Sequence, residues 1–274
     1  MSAYPKTTWE DLSSLGWPIN NVYNAANAAR DGTMNGIDDL SLNSGIAAKY
    51  QWWSYNATIG TPYLMSSRPQ TATKEEVAWS YDNTQNDRPF EQPWTERWTE
   101  TTSADVSIST SATVSLNASV TIFDVASTGF DISISVDSSS SQHKERSHEL
   151  STSWTMEVGP HEKLTLIRTI TTSTTVAEYG QDFGLRDDSM VGTEGDKWNG
   201  HYYWGMNINW LCNSPKGTMH ILGVGRSVEY SFKLVREGPK GRTTKPLPVK
   251  SKAVKELAAQ PEVALLVPGG EATA

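Results

Sequence analysis

One alternation constrains this chain more than anything else in it. From Ala104 to Ile122 every even position except Thr110 is apolar (Ala104, Val106, Ile108, Ala112, Val114, Leu116, Ala118, Val120, Ile122), and every odd position between them is polar. Side chains on a strand alternate between two faces, so this period of two predicts a long β-strand with one apolar and one hydroxyl-rich face. The phase returns after a break. Ile132, Ile134 and Val136 are apolar, whereas Asp131, Ser133 and Ser135 are polar. Between the legs lie residues 123–130 (FDVASTGF), with a glycine and small polar residues suited to a reversal. Residues 104–136 therefore read as one amphipathic β-hairpin.

The length of the pattern matters as much as its period. A strand in a globular protein averages about 5–6 residues, and this one runs far longer. Strands that cross a bilayer need about 9–11 residues with alternating faces, a length each leg can supply. No Lys or Arg occurs from Ser103 to Gln142. The same alternation also suits a half-buried strand of a soluble sandwich, and that alternative stays open at this point.

The rest of the chain narrows the choices. A formal charge of −8, with no basic stripe carrying interleaved aromatics, argues against nucleic acid as a partner. Cys212 is the one cysteine, so neither an intrachain disulfide nor a cysteine metal cluster can form. The start of the chain lacks the apolar core of a secretory signal, and no run of about 18 apolar residues is present. The protein is expected to be made soluble and released without a classical signal.

Helices are expected only near the start. Thr8-Trp9-Glu10-Asp11 reads as a capping box with Gly16 as the stop, and a second helix runs from Asn20 or Asn21 to about Gly32. Strand and turn patterns follow. Aromatics cluster at Tyr50-Gln51-Trp52-Trp53 and again at Trp198 to Trp210, mixed in the second block with Asn and Gly. Such residues suit a surface for sugars or lipid headgroups, and core packing explains them equally well. Met219 to Val235 reads as closing strands, and from Pro239 the chain turns basic and loosely patterned, a tail outside the main fold.

No catalytic pattern emerges. His148-Glu149 and His161-Glu162 lack the second histidine of a zinc-protease helix, and Gly223-Val224-Gly225 is too short for a phosphate loop. An enzyme is not expected, nor is a cofactor or a bound metal.

Several features together resemble a known family: Asn83-Thr84, Glu91-Gln92, the Ser/Thr-rich strand over 101–122, the tip over 123–130, the strand over 150–158, and Val158-Gly159-Pro160-His161-Glu162-Lys163. Over Val77 to Ala177 the sequence resembles the aerolysin-type β-pore-forming toxins, with most likeness to the epsilon-toxin/mosquitocidal-toxin branch and to monalysin-like insecticidal proteins. The resemblance implies a mainly β, elongated architecture of long twisted antiparallel strands, with an amphipathic insertion hairpin and a small helical N-terminal part. It implies that the protein oligomerises on a target cell membrane, inserting one hairpin per protomer into a β-barrel. No lectin module is recognisable, so the receptor (glycan, lipid headgroup or protein) stays open.

Carried onto this sequence, residues 1–76 form part of the head and 77–177 the pore-forming module. Residues 178–238 form an aromatic block with closing strands, and 239–274 a tail that is a candidate removable peptide. Val114, Leu116, Ala118, Val120, Ile122, Ile132, Ile134 and Val136 are expected to face lipid, with Phe123, Asp124, Val125, Gly129 and Phe130 at the tip. Ser115, Asn117, Ser119, Asp131, Ser133 and Asp137 are expected to face the lumen. Trp52, Trp53, Trp198, Tyr202, Tyr203, Trp204 and Trp210 are the candidates for receptor or headgroup contact. On this assignment Val120→Lys should spare the soluble fold and Ser119→Lys should spare insertion. The competing reading is a soluble β-rich carbohydrate-binding or structural protein whose long strands never leave the body.

Overall fold

The computed structural model describes residues 4–136 and 142–247; side chains are described for these except over 142–153. In chain order the elements are α1 (Trp9–Ser14), α2 (Ile19–Ala29), β1 (Leu40–Ser41), α3 (Gly45–Lys49), β2 (Asn56–Asp82), β3 (Phe90–Thr110), β4 (Ser119–Ile122) and β5 (Ile132–Ser135). They continue with β6 (Gln142–Val158), β7 (Lys163–Leu185), β8 (Met190–Thr193), β9 (Trp204–Asn207), α4 (Ile208–Leu211), β10 (Lys216–Gly238) and β11 (Gly241–Leu247).

The expected N-terminal helices form. Thr8 Oγ1 accepts from the Asp11 backbone N–H at 3.1 Å, and Asp11 Oδ2 accepts from the Thr8 N–H at 2.9 Å, the reciprocal pair of a capping box. These helices pack with β1, β8 and β9 and with α4 around Leu12, Val22, Ala26, Val191, Met206 and Ile208. The head is thus built from the chain before β2 and from residues 186–215. Its boundary differs from the segments expected at 1–76 and 178–238, because β2 is one strand of 27 residues that leaves the head and runs the length of the body. At a rise of about 3.3 Å per residue that strand extends about 90 Å.

The body is a sheet in the order β2-β7-β10-β3-β6, with β11 beside the end of β10, all neighbours antiparallel. β7 and β10 pair from Lys216↔Gly184 to Glu237↔Lys163 without a register shift, so residue parity keeps its meaning along both. Near the head the odd-numbered face carries a core: Ala177, Tyr179, Phe183, Met219 and Ile221 are buried there. At the far end the even-numbered face does so through Leu164, Leu166 and Phe232, with Trp98, Met156 and Val158 of β3 and β6 packed on them. The two cores therefore lie on opposite faces of the same two strands. Between them runs a band of Thr and Ser, including the rows Thr71–Ser173–Ser227–Thr102 and Ala72–Thr172–Val228–Thr101.

Two expectations change. The tail was placed outside the fold from Pro239, but β11 pairs with β10 from Phe232↔Leu247 to Gly238↔Gly241, and Leu247 packs on the far-end core. Gly241, at φ 101°, makes the reversal that a residue with a side chain resists. Residues 248–274, with the rest of the proposed removable peptide, lie outside the described residues. The second change concerns the strand expected over 104–122. β3 ends at Thr110, residues 111–118 belong to no strand, and β4 begins only at Ser119. Pairing with β10 stops at Thr110↔His220, after a register shift, and pairing with β6 stops at Val106↔Gln142. β10 itself runs on to Lys216, paired there with β7, so the chain leaves the sheet before that edge ends.

Candidate functional site

Instead of continuing outward, the chain folds over the odd face of β7 and β10. β4 and β5 pair as a short hairpin: Ser119↔Ser135, Val120↔Ile134, Thr121↔Ser133, Ile122↔Ile132. Val114, Leu116, Val120, Ile122, Ile132, Ile134 and Val136 are all buried against the sheet, and Ala118 is half-buried in the same cluster. Ser115, Asn117, Ser119, Asp131 and Ser133 are exposed; Asp137 lies outside the described residues. The alternation of burial continues through 111–118 even though no strand forms there: Ser111 and Thr113 are exposed, Val114 and Leu116 are not. A buried amide fixes that stretch to the head. Asn56 Nδ2 donates to the Ser115 carbonyl and to Asp11 Oδ2, each at 3.0 Å.

The tip divides into two parts. Phe123 is 69% exposed, whereas Val125 is fully buried and Phe130 packs partly against the core. Asp124 Oδ1 accepts from the Gly129 N–H at 2.7 Å, and Asp131 Oδ1 accepts from the Asp124 N–H at 3.0 Å, closing the reversal on itself. The Ala126 N–H, buried beneath the tip, donates to the Tyr179 hydroxyl at 2.8 Å. Opposite it stand Gly223 and Gly225, where an added Cβ would lie 3.1 Å from Val125 Cγ1 and 2.5 Å from Thr128 Cγ2 respectively. Sequence reading missed Tyr179 and both glycines. A signal was present: glycines at i and i+2 of a strand clear one face for a close approach by another segment.

At the far end the structure explains the Asn83 and Gly159–Lys163 motifs. Buried Asn83 donates from Nδ2 to the carbonyls of Arg88 (2.8 Å) and Gly159 (2.9 Å), and its N–H donates to the Glu162 carbonyl. One side chain thus ties the β2–β3 turn to the β6–β7 turn. Glu162 also pairs with Arg236 of β10.

The aromatic candidates do not form one surface. Trp53 lies under the Lys6 ammonium at 3.9 Å. Trp198 donates from Nε1 to Asp31 Oδ2 at 2.8 Å, and Trp204 donates to the Trp198 carbonyl at 3.1 Å, so both serve the head's own structure. Tyr202 and Tyr203 are exposed and, with Tyr50, Trp52, Gly200 and His201, line a cleft of about 250 Å³. Tyr50, absent from the sequence-based set, stacks on Trp52 at 4.8 Å between centroids. Trp210 is 71% exposed elsewhere on the head. Behind the cleft the fully buried Arg30 donates to Thr193 Oγ1 and to the carbonyls of Asp196 and Tyr202. Burial lowers the pKa of its guanidinium, and Asp39 and Glu194 act against that shift.

No family model matches the sequence, and no curated protein does so. Solved structures do match. Parasporin-2, a Bacillus thuringiensis toxin that recognises cancer cells, superposes with a TM-score of 0.52 at 18% identity, over 90% of this chain and 98% of its own. The Mpp75Aa1.1 β-pore-forming protein of Brevibacillus laterosporus superposes with a TM-score of 0.50 at 14% identity, over 92% and 98%. The fold is that of the aerolysin-like β-pore-forming toxins. At these identities the likeness carries the architecture and no residue roles.

Proposed function

We propose that the chain is a pore-forming toxin of this aerolysin-like fold and not an enzyme: it oligomerises on a target cell membrane, and each protomer contributes the 111–136 segment to a transmembrane β-barrel. The observation that carries the reading is the mismatch between pattern and structure over 104–122. The sequence specifies a strand through this whole stretch, the burial alternates as a strand's would, and yet the backbone from 111 to 118 joins no ladder. Such a segment fits a second structure in which partners exist.

The physics gives the order of events. A lone hairpin cannot enter hydrocarbon, because its edges would expose unpaired backbone groups. Several protomers must gather first, each adding two strands, so that closure removes the edges. The apolar side chains then exchange a protein core for lipid, and the hydroxyl face turns to a water-filled lumen. The protein acts from outside the target cell, with cytolysis as the outcome and insects as the expected target by resemblance. The resemblance of the Asn83-Thr84 and Gly159–Lys163 motifs supports a place near the epsilon-toxin and monalysin-like proteins. The exposed tyrosines of the head, with Trp210, are the proposed contacts for a receptor.

The test is direct. Purified protein incubated with target-cell membranes should release an entrapped dye and yield rings by electron microscopy. A protein that binds those membranes and produces neither result is not a pore former.

A further inference from the structure

Within the broad apolar packing of the hairpin on the body, the contact at its tip has the properties of a catch. Two adjacent rows of the sheet, Val106–Gly223–Ala177 and Ala104–Gly225–Thr175, carry unusually little side-chain volume on the odd face. The next row toward the head, Ile108–Ile221–Tyr179, is tall. The result is a shallow saddle beside Tyr179. Residues 125–128 sit in it, with Ala126 against Gly225 and Val125 against Gly223. The Tyr179 hydroxyl takes the Ala126 N–H from above the saddle's wall.

Three features make this contact different from ordinary packing. Asp124, Ala126 and Ser127 have φ of 48°, 49° and 61°, a left-handed backbone that residues with a Cβ adopt at a cost. Docking must offset that cost, and undocking relieves it. The Ala126 N–H is buried, and the Tyr179 oxygen is the acceptor found for it, so loss of one hydroxyl strands a buried donor. Finally, a water-accessible cavity of about 270 Å³, lined by Thr102, Ser127, Ser173, Ser227 and Glu229, opens directly beside the tip. The tip is thus held where water can replace the sheet.

We propose that Tyr179 and the Gly223/Gly225 saddle form a release catch that sets how readily the 111–136 segment leaves the body. The proposal rests on the pore-forming reading for its purpose, but its test does not need a membrane. Hydrogen exchange followed by mass spectrometry on the full chain in buffer reports opening of the segment. Tyr179→Phe should raise exchange across 111–136 about tenfold, the order expected for a buried donor deprived of its acceptor, while peptides of β2 keep their protection. Gly225→Ala leaves the strand's own conformation free and should lift the tip in the same way, because its Cβ would meet Thr128 and Ala126.

A reversible staple supplies the opposite perturbation. The distances around Gly225 bring residue 128 within disulfide reach, and the native thiol of Cys212, buried and pushed up to about 12, will not compete. Oxidised Thr128→Cys/Gly225→Cys should suppress exchange across 111–136, and reduction should restore it. Unchanged protection in Tyr179→Phe, or loss spread evenly over the whole chain, overturns the catch and leaves the pore reading standing. If the parent protein releases no dye while Tyr179→Phe still opens the segment selectively, the catch stands and the pore reading falls.

Discussion

Two neighbouring substitutions, Val120→Lys and Ser119→Lys, separate the resting structure from the proposed inserted one. Val120 is 3% exposed, paired with Ile134 across the hairpin and packed on the odd-face core. Removing its burial costs about 1.5–3 kcal/mol, and an unpaired ammonium there adds several more unless the segment moves into water. The resting fold is therefore not spared, contrary to what the sequence alone suggests. With a loss of about 3 kcal/mol, a chain of this size should melt about 6–12 °C lower if it unfolds as one unit. The head and far-end cores do not contain Val120, so local undocking is the cheaper route, seen as selective exchange across 111–136.

At the membrane the same lysine meets hydrocarbon, at about 2–4 kcal/mol near the midplane for every protomer in the ring. Val120→Lys should consequently open early and still form no conducting pore. Ser119 is exposed in the resting structure, so Ser119→Lys should change stability by no more than about 0.5 kcal/mol. In the barrel it faces water, so insertion proceeds with cation flow reduced. Thermal melting, dye release and planar-bilayer conductance on both variants decide the matter. A Val120→Lys protein that conducts like the parent would refute the assignment of faces.

Further expectations concern charge, pH and the end of the chain. Asp131 is exposed on the hydroxyl face; a ring of these carboxylates in the lumen should favour cations, and Asp131→Asn should shift the reversal potential under a salt gradient toward zero. The Glu76 carboxyl is held down to about 2, first by a hydrogen bond from Lys74 and then by one from Arg168, which also pairs with Glu96. Its folded pKa lies below the ordinary 4.5, so its contribution is full above that value and is lost as pH falls toward 2. Melting temperature should fall more steeply over that window in the parent than in Glu76→Gln; equal slopes would exclude the clamp. Truncation after Leu247 should preserve the fold and, if the basic tail restrains assembly, speed ring formation. Truncation after Gly238 removes β11 and should lower the melting temperature.

What could be read from the sequence was whatever depends on local order. Burial parity over 104–136 was legible because one face of a strand is set by residue number alone, and Val114 through Val136 fall where that rule puts them. The α1 cap was legible because its two hydrogen bonds span three residues. What failed depends on distant partners. β6 begins at Gln142, ahead of the strand expected over 150–158, because β3 lies beside it, and β11 forms because β10 offers an edge. The aromatic set divides between structural and exposed residues for the same reason. Trp198 and Tyr202 are alike as sequence neighbours, but Asp31 captures the first, whereas the second stays exposed.

The break at Thr110 bears on how one sequence would serve both the resting fold and the proposed barrel. In the resting fold the apolar side chains of 114–136 already have an apolar environment, so moving them into lipid changes their free energy little. The hydroxyl face is exposed in both settings. What differs is the backbone. Residues 111–118 lie outside every ladder at rest, and in a closed barrel each would gain strand partners, at a net gain of about 1 kcal/mol per hydrogen bond. Against that stand the lost tie from Asn56 to the Ser115 carbonyl and the lost bond from Ala126 to Tyr179. For a single protomer the gain is absent, because its edges remain unpaired. With neighbours on both sides it is present for every strand at once. On the proposed function, the switch from body to barrel would therefore be governed by the number of gathered protomers, with the hairpin docked until assembly supplies strand partners for 111–118.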